Sequence, residues 1–154
     1  MGKLFHYTSS GLDGVWLRNG FTETTTPYGK AVSIHNIEGL HRAIGLDIVC
    51  RKSQLQPNEV RFLRKELNLS QTHLARILGV SETTARNWES EDKGRARIPG
   101  PADRILRALY RESVQGDGKI LEMLESISDL DEETGKNRIE LEETESGWTA
   151  KAAA

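Results

Sequence analysis

The side chains best suited to chemistry in this sequence are hydrogen-bonding groups on one short segment near the middle of the chain. When residues 82–89 are wound as a helix at about 100° per residue, Thr83, Arg86 and Asn87 fall on one face. Arginine suits guanine, asparagine suits adenine, and threonine contacts either a polar base edge or a thymine methyl group. The pattern therefore predicts a helix that reads base edges in the major groove of DNA.

The opposite face of this helix is apolar. Ala85 and Trp88 lie there, so we expect Trp88 to anchor the helix in the core of its domain. Two short helices, 71–78 and 82–89, with Gly79 ending the first, describe a helix-turn-helix. The alternative is a helical bundle with accidental surface charges. We favour the helix-turn-helix because turn residues, helix faces and local charge agree independently.

Capping signals define the helices that must hold this pair. Ser70 and Ser81 precede the two helices as N-caps, and Pro57 or Asn58 starts an earlier helix. Pro101 fits the first turn of a later helix, where the N–H that proline lacks has no helical partner. The predicted DNA-binding domain thus consists of short helices in succession.

The segment Leu-Ser-Gln-Thr-His-Leu-Ala-Arg-Ile-Leu-Gly-Val-Ser-Glu-Thr-Thr-Ala-Arg-Asn-Trp-Glu resembles the Cro/phage-repressor-like (Xre-type) helix-turn-helix family. The resemblance extends over roughly residues 57–111 and implies a lambda-repressor-like fold that binds DNA. It implies that Gln71 anchors a phosphate through the amino end of its helix. It also implies that Glu82, Thr83 and Asn87 face the bases.

The predicted DNA-binding set combines base-facing, helix-capping and phosphate-facing side chains: Gln71, Ser81, Glu82, Thr83, Thr84, Arg86, Asn87, Arg64 and Lys65. Other basic residues nearby are also candidates for phosphate contacts: Arg61, Arg76, Arg95 and Arg97. Glu82 has two interpretations. It accepts a hydrogen bond from a cytosine amino group, or it caps the helix start and avoids phosphate, and we favour the second.

The charge distribution along the 154 residues agrees with this assignment. The net charge of −2 averages three unlike parts. Residues 1–50 are balanced, residues 51–111 carry thirteen Lys/Arg against seven Asp/Glu, and residues 112–154 carry four against twelve. A basic middle (+6) beside an acidic end (−8) is typical of a nucleic-acid surface with an interaction tail.

Other classes of protein fit the sequence poorly. Cys50 is the single cysteine, so an intramolecular disulfide and a cysteine-built zinc site are excluded. His6, His35 and His41 match no common metal-ligand spacing, and no nucleophile–base pair or phosphate loop is evident. No apolar run approaches the ~20 residues that span a bilayer, and no secretory signal opens the sequence. We expect a cytoplasmic protein that is not an enzyme and needs no metal or other cofactor.

The amino-terminal third has the pattern of a small strand-containing module. Alternation in residues 15–17 and 21–23 predicts two strands joined by a hairpin turn at Asn19-Gly20. Pro27-Tyr28-Gly29 predicts a second turn, and residues 32–34 predict another strand after it. A capped amphipathic helix follows over residues 37–48. So few elements form only a thin core, which suggests that the module packs against a partner, a second copy or the next domain.

Three aromatic residues of this module, Trp16, Phe21 and Tyr28, are the predicted partner-binding residues. Because side chains alternate along a strand, Trp16 is expected to point away from the face that Leu17 shares with the core. The alternative is that Trp16 packs under the helix over 37–48 or against the DNA-binding domain.

The order of the parts resembles the MqsA-like antitoxins of bacterial toxin–antitoxin operons: a strand-rich module, a helical linker, then this DNA-binding domain. The first module of those proteins commonly holds zinc through Cys-x-x-Cys pairs. Here Thr26-Pro-Tyr-Gly29 stands where one such pair would be, and the cysteines are absent. The resemblance implies a toxin as partner, without a metal.

The acidic end combines a helix pattern with a polar tail. An amphipathic helix is predicted over residues 119–128, and Ile139 and Leu141 permit one strand. Acidic stretches such as residues 140–145 are usually disordered, and Trp148 is isolated. The alternatives for this tail are pairing with a second chain or covering the protein's own basic DNA face.

These observations predict a mainly α fold in three parts: a small α+β partner-binding module (1–50), a helix-turn-helix DNA-binding domain (51–112) and an acidic helix and tail (113–154). The expected function is sequence-specific binding of double-stranded DNA by a transcriptional regulator. A homodimer on a palindromic operator is the default, since one such domain makes few base contacts. An autorepressing antitoxin is the finer hypothesis. The alternative is a stand-alone prokaryotic or phage-type repressor whose amino-terminal module binds another protein or a small ligand.

Overall fold

A computed structural model of the chain describes residues 2–51, 53–130 and 138–151. Within these ranges the chain forms six helices and three separate two-stranded antiparallel sheets, so the prediction of a mainly α fold is confirmed. In chain order the elements are β1 (Phe5–His6), β2 (Trp16–Leu17), β3 (Phe21–Thr26), β4 (Gly29–Ile34), α1 (Ile37–Cys50), α2 (Pro57–Glu66), α3 (Gln71–Leu78), α4 (Glu82–Trp88), α5 (Gly100–Gln115), α6 (Lys119–Leu130), β5 (Leu141–Thr144) and β6 (Gly147–Ala150).

The strands of the amino-terminal third pair only in part as predicted. Strand β2 pairs with β1, a strand that the sequence pattern did not indicate, whereas β3 pairs with β4 across the predicted turn at Pro27-Tyr28-Gly29. The predicted hairpin turn at Asn19-Gly20 is therefore wrong: these residues connect two separate sheets. Gly20 still needs its conformational freedom, because its φ is +80° and its carbonyl accepts a hydrogen bond from the His35 N–H at 2.8 Å.

The β3–β4 hairpin is held to the rest of the chain at its open end. Phe21 and Ile34 face each other across the strands at this end, and both are partly buried against the core. The rest of both strands is exposed, out to the turn that carries Tyr28. The hairpin therefore projects from the body of the protein.

Helix α1 joins the amino-terminal third to the other helices. Its N-cap Asn36 accepts a hydrogen bond from the Gly39 N–H at 3.2 Å, and Ile44 and Ile48 are buried. Gly45 faces Tyr110 of α5, and a Cβ atom at this glycine would come within 2.2 Å of the tyrosine ring. A glycine is required here because the two helices approach closely.

Helices α2 to α5 surround the best-packed part of the core. Five side chains from these helices have no exposed surface: Val60, Leu63, Leu74, Ala85 and Leu106. The linker between α1 and α2 is fixed to α5, where Asp103 accepts a hydrogen bond from the Leu55 N–H at 2.9 Å. Arg107 donates to Asp103 at 2.6 Å and to the carbonyl oxygens of Arg51 and Ser53.

The carboxyl-terminal part adds one helix and one hairpin. Helix α6 packs against α3 and α5. Strand β5 pairs with β6, with Glu143 opposite Trp148. The expectation of a disordered stretch over residues 140–145 is thus corrected, and Trp148 lies in a strand. Every residue of both strands is exposed, so cross-strand hydrogen bonds rather than burial define this hairpin.

Candidate nucleic-acid interface

The turn between α3 and α4 is built from caps that the sequence specifies. Ser70 Oγ accepts from the His73 N–H at 3.0 Å, and Ser81 Oγ accepts from the Thr84 N–H at 3.1 Å. Gly79 ends α3 in the left-handed region at φ 71°, which a residue without a Cβ adopts at least cost. Ala75 is buried between the helices, and its small side chain lets them cross closely.

Helix α4 separates its apolar side from its polar side as the wheel predicts. Ala85 has no exposed surface and Trp88 is 3% exposed, so the prediction that Trp88 is a core anchor is confirmed. The other side chains of the helix and of its N-cap are exposed, apart from the partly buried Asn87. Six of the predicted DNA-binding residues are therefore exposed or partly exposed: Ser81, Glu82, Thr83, Thr84, Arg86 and Asn87.

Two polar pairs on α4 have contacts within the helix. Arg86 forms a salt bridge with Glu82 at 2.8 Å, one helical turn apart, and both side chains are about half exposed. A surface pair of this kind contributes little to stability, so Arg86 can leave Glu82 for a base or phosphate at small cost. The hydroxyls of Ser81 and Thr84 lie 2.8 Å apart, which favours helix capping as their role.

Arg64 is not available to DNA. Its guanidinium is buried and donates to both carboxylate oxygens of Glu89 at 2.8 and 2.9 Å and to the Leu69 carbonyl at 2.8 Å. We therefore correct the expectation that Arg64 contacts phosphate. A buried charge is stable only when paired and hydrogen-bonded, so this side chain links α2 to the end of α4. Lys65, the next residue, is exposed as a phosphate contact requires.

A cationic groove adjoins the carboxyl end of α4. It has a volume of about 360 Å³, and beside Asn87 its lining carries three basic residues, Lys93, Arg95 and Arg97, against two acidic ones, Glu91 and Asp92. Arg97 also donates to the Gln56 side chain at 2.7 Å. Arg95 and Arg97 are among the predicted phosphate contacts, whereas Lys93 and Gln56 are not. The basic run Lys-Gly-Arg-Ala-Arg is the signal that marks Lys93, whereas Gln56 is brought in by folding.

The far end of the predicted surface is partly neutralised by α6. Arg76 of α3 pairs with Asp129 at 2.6 Å, and His73 lies 3.2 Å from Glu125. Gln71, at the start of α3, is partly buried. The acidic helix thus covers one side of α3, while the polar face of α4 stays exposed.

The three predicted partner-binding aromatics occupy different environments. Trp16 is 54% exposed and stacks on the His6 ring, with centroids 4.1 Å apart. Tyr28 is fully exposed at the tip of the β3–β4 hairpin. Phe21 is partly buried and packs on Phe5 at 5.2 Å. Trp16 also borders an apolar groove of about 440 Å³ between the β2 region, α1 and the start of α2.

A polar cluster lies between the amino-terminal third and α2. The Tyr7 hydroxyl and His41 Nε2 are 2.7 Å apart, and His41 Nδ1 lies 2.9 Å from a Glu66 carboxylate oxygen. Burial, and then the charge of Glu66, raise the pKa of Tyr7. The same two causes raise the pKa of Tyr110, and Arg42 partly opposes them. Within the described ranges, no group of three or more His, Cys, Asp or Glu side chains forms a potential metal site.

The sequence comparisons bear on the middle of the chain. A helix-turn-helix family model matches residues 60–98, from α2 to the loop before α5. This match supports a DNA-binding, transcription-regulating role, and such domains are not typically catalytic. A search of the curated proteins and a search of the solved structures each found no match. In the part of the chain that the structure describes, no helix combines the length and the apolar character needed to cross a membrane.

Proposed function

We propose that this protein is a sequence-specific transcriptional repressor that inserts α4 into the major groove of its operator as a homodimer. The observation that supports the proposal most directly is that α4 has a buried apolar side and an exposed polar side. Its apolar side is fixed in the core by Ala85 and Trp88, and this leaves an exposed polar side with Thr83, Arg86 and Asn87. A helix of this kind, set by a capped turn, presents its side chains to base edges.

Base contacts and phosphate contacts have separable roles in this proposal. Thr83, Arg86 and Asn87 discriminate between sequences, because each can form hydrogen bonds specific to a base edge. Lys65 and the lysine and arginines of the cationic groove supply attraction that is independent of sequence. The buried Arg64–Glu89 pair belongs to neither group and maintains the angle between α2 and α4.

The test is a binding titration on the operator and on random DNA. The operator is first selected from a random oligonucleotide pool, and the region upstream of the chain's own gene is then examined for it. Thr83→Ala and Asn87→Ala should each weaken operator binding by about 5- to 150-fold and random-DNA binding much less. Thr25→Ala, on the exposed β3 strand, is the matched control and should bind both DNAs as the wild type does. Unchanged operator affinity in both α4 variants would refute the assignment.

A second proposal assigns the amino-terminal third to a protein partner, the toxin of a type II toxin–antitoxin operon that this chain autorepresses. The exposure of Trp16 supports it, because an exposed tryptophan beside an apolar groove is a common anchor of protein interfaces. Tyr28 offers a further aromatic contact at the hairpin tip. Phe21 contributes by holding the hairpin in place.

Co-expression with the product of the neighbouring gene tests the partner. The two proteins should co-purify, and Trp16→Ala should reduce the recovery of the partner. Ser33→Ala, on the exposed part of β4, is the control. If no neighbour co-purifies, the stand-alone repressor becomes the better proposal, with the groove beside Trp16 as the site for another protein or a small ligand.

A further inference from the structure

Helix α6 has two apolar faces, and among residues 2–51, 53–130 and 138–151 only one of them packs against the core. Leu121 and Leu124 contact the core, and Ser128 beside them is buried. The second face, the outer stripe, consists of four exposed side chains: Ile120 (39% exposed), Met123 (53%), Ile127 (48%) and Leu130 (60%). We infer that the outer stripe is a self-association surface that pairs with the outer stripe of a second copy of this chain.

The spacing of the outer stripe suits a two-fold pair of helices. The steps between its residues are three, four and three positions, which is the apolar repeat of a coiled-coil seam. This order is the same in either chain direction. Two α6 helices that meet antiparallel therefore place Ile120 of each copy against Leu130 of the other, and Met123 against Ile127. A two-fold interface requires such self-complementarity.

The charges of α6 favour a second copy as the occupant. Glu125 and Asp129 are turned toward α3, where they pair with His73 and Arg76, so these carboxylates do not oppose each other across the seam. Lys119 lies at the amino end of the helix, where its ammonium is 3.6 Å from the Asp117 carboxylate and both side chains are exposed. Antiparallel pairing sets this lysine near the carboxyl end of the other helix, which carries the negative end of the helix dipole.

The exposed area sets the expected strength of the pair. Four side chains that are each 39–60% exposed supply less than the ~800 Å² that each partner buries in a standard interface. A weak dimer is therefore expected, with a dissociation constant in the micromolar range or above. Binding of two DNA half-sites would then add to the stability of the dimer.

This inference rests on the proposed function for its meaning, since a dimer through α6 would hold two α4 helices for two half-sites. Its structural basis is independent, because every residue of the outer stripe lies outside the predicted DNA surface. The two can thus fail separately.

Sedimentation equilibrium of the full chain without DNA tests the surface. The wild type should show a concentration-dependent monomer–dimer equilibrium. Met123→Lys should weaken it by about tenfold, because an unpaired ammonium would be buried in the seam. Glu122→Lys introduces the same side chain one residue away, off the stripe, and should dimerise nearly as the wild type does. Circular dichroism should be unchanged in both, since both positions are exposed.

Mixing variants tests the antiparallel register. Met123→Lys and Ile127→Glu place opposite charges against each other only in an antiparallel pair, so this mixture should recover the dimer that each variant loses alone. A mixture of Met123→Lys with Met123→Glu should not recover it. Recovery in the second mixture instead would overturn the register. A wild type that stays monomeric up to millimolar concentration would overturn the surface itself.

A DNA readout separates this inference from the proposed function. Met123→Lys should bind an isolated half-site as the wild type does and lose part of its affinity for the two-half-site operator. If the wild type dimerises through α6 but does not distinguish operator from random DNA, the proposed function fails and the inference stands.

Discussion

Helices α2 to α5 and the strand hairpins at the two ends of the chain are held in place by different means. Each of the four helices buries at least two side chains, and α3 and α4 begin at the serine caps Ser70 and Ser81. The β5–β6 hairpin buries none, and within the strands β3 and β4 only Phe21 and Ile34 are even partly buried. A helix with a buried face can be predicted from the spacing of apolar residues in the sequence. Which strand pairs with which cannot be predicted from that spacing.

The same difference separates the two candidate functions. The proposed DNA-facing side of α4 lies opposite a buried side, through which Ala85 and Trp88 fix the helix in the core. The aromatics of the amino-terminal third lie on short strands and at a hairpin tip. Trp16 and Tyr28 are proposed to bind a partner because their side chains are exposed, and not because a buried face holds them in position.

The largest expected effect concerns the helices α2 to α5, whose structure rests on buried side chains. Trp88→Ala removes a side chain that is 3% exposed, and truncation of a buried tryptophan typically costs about 3–5 kcal/mol. We expect this variant to lose operator and random-DNA binding together because the domain unfolds. Urea denaturation followed by circular dichroism measures the loss. A variant that keeps wild-type stability yet fails to bind would place Trp88 at the DNA.

Substitutions at two adjacent positions of β2, one buried and one exposed, test the amino-terminal third. Leu17→Ala removes a buried side chain of β2 and should destabilise the protein by about 2–3 kcal/mol. Trp16→Ala, at the next position on the opposite face, should cost less than about 1 kcal/mol, mainly from the lost stack on His6. Equal destabilisation by the two changes would mean that Trp16 is structural, which would weaken its assignment to a partner.

The helical half of the fold and the α4 surface could be predicted because their signals are local. Serine caps, a glycine in the left-handed region and apolar residues at helical spacing each act within about one turn of the chain. The wheel of residues 82–89 sufficed to assign Trp88 to the core and Thr83 to the outside.

The errors arose where the deciding contact is distant in sequence. Strand β1 pairs with a strand about ten residues away, whereas the favourable turn residues Asn19-Gly20 predict a hairpin that the chain does not form. Arg64 is a positively charged residue in a basic segment, as a phosphate contact would be. Its guanidinium is buried instead because folding brings the Glu89 carboxylate beside it. Neither contact leaves a local mark in the sequence.

The smallest expected effect concerns the junction between the amino-terminal third and helices α2 to α5. There Tyr7 of the amino-terminal third and Tyr110 of α5 both lie near Glu66 of α2. Burial, followed by the charge of Glu66, raises the pKa of each phenol above its usual value of 10.0. The folded state therefore holds these protons more tightly than the unfolded state does. The stability that they contribute is complete below pH 10 and is lost as the pH rises through the folded-state pKa values.

We expect the free energy of unfolding of the wild type to decline above about pH 10, and that of the Tyr110→Phe variant to decline less steeply. Urea midpoints measured at intervals across this range would compare the slopes. Parallel slopes would mean that the phenol of Tyr110 ionises as freely in the folded protein as in the unfolded chain, and hence that the two regions do not enclose it.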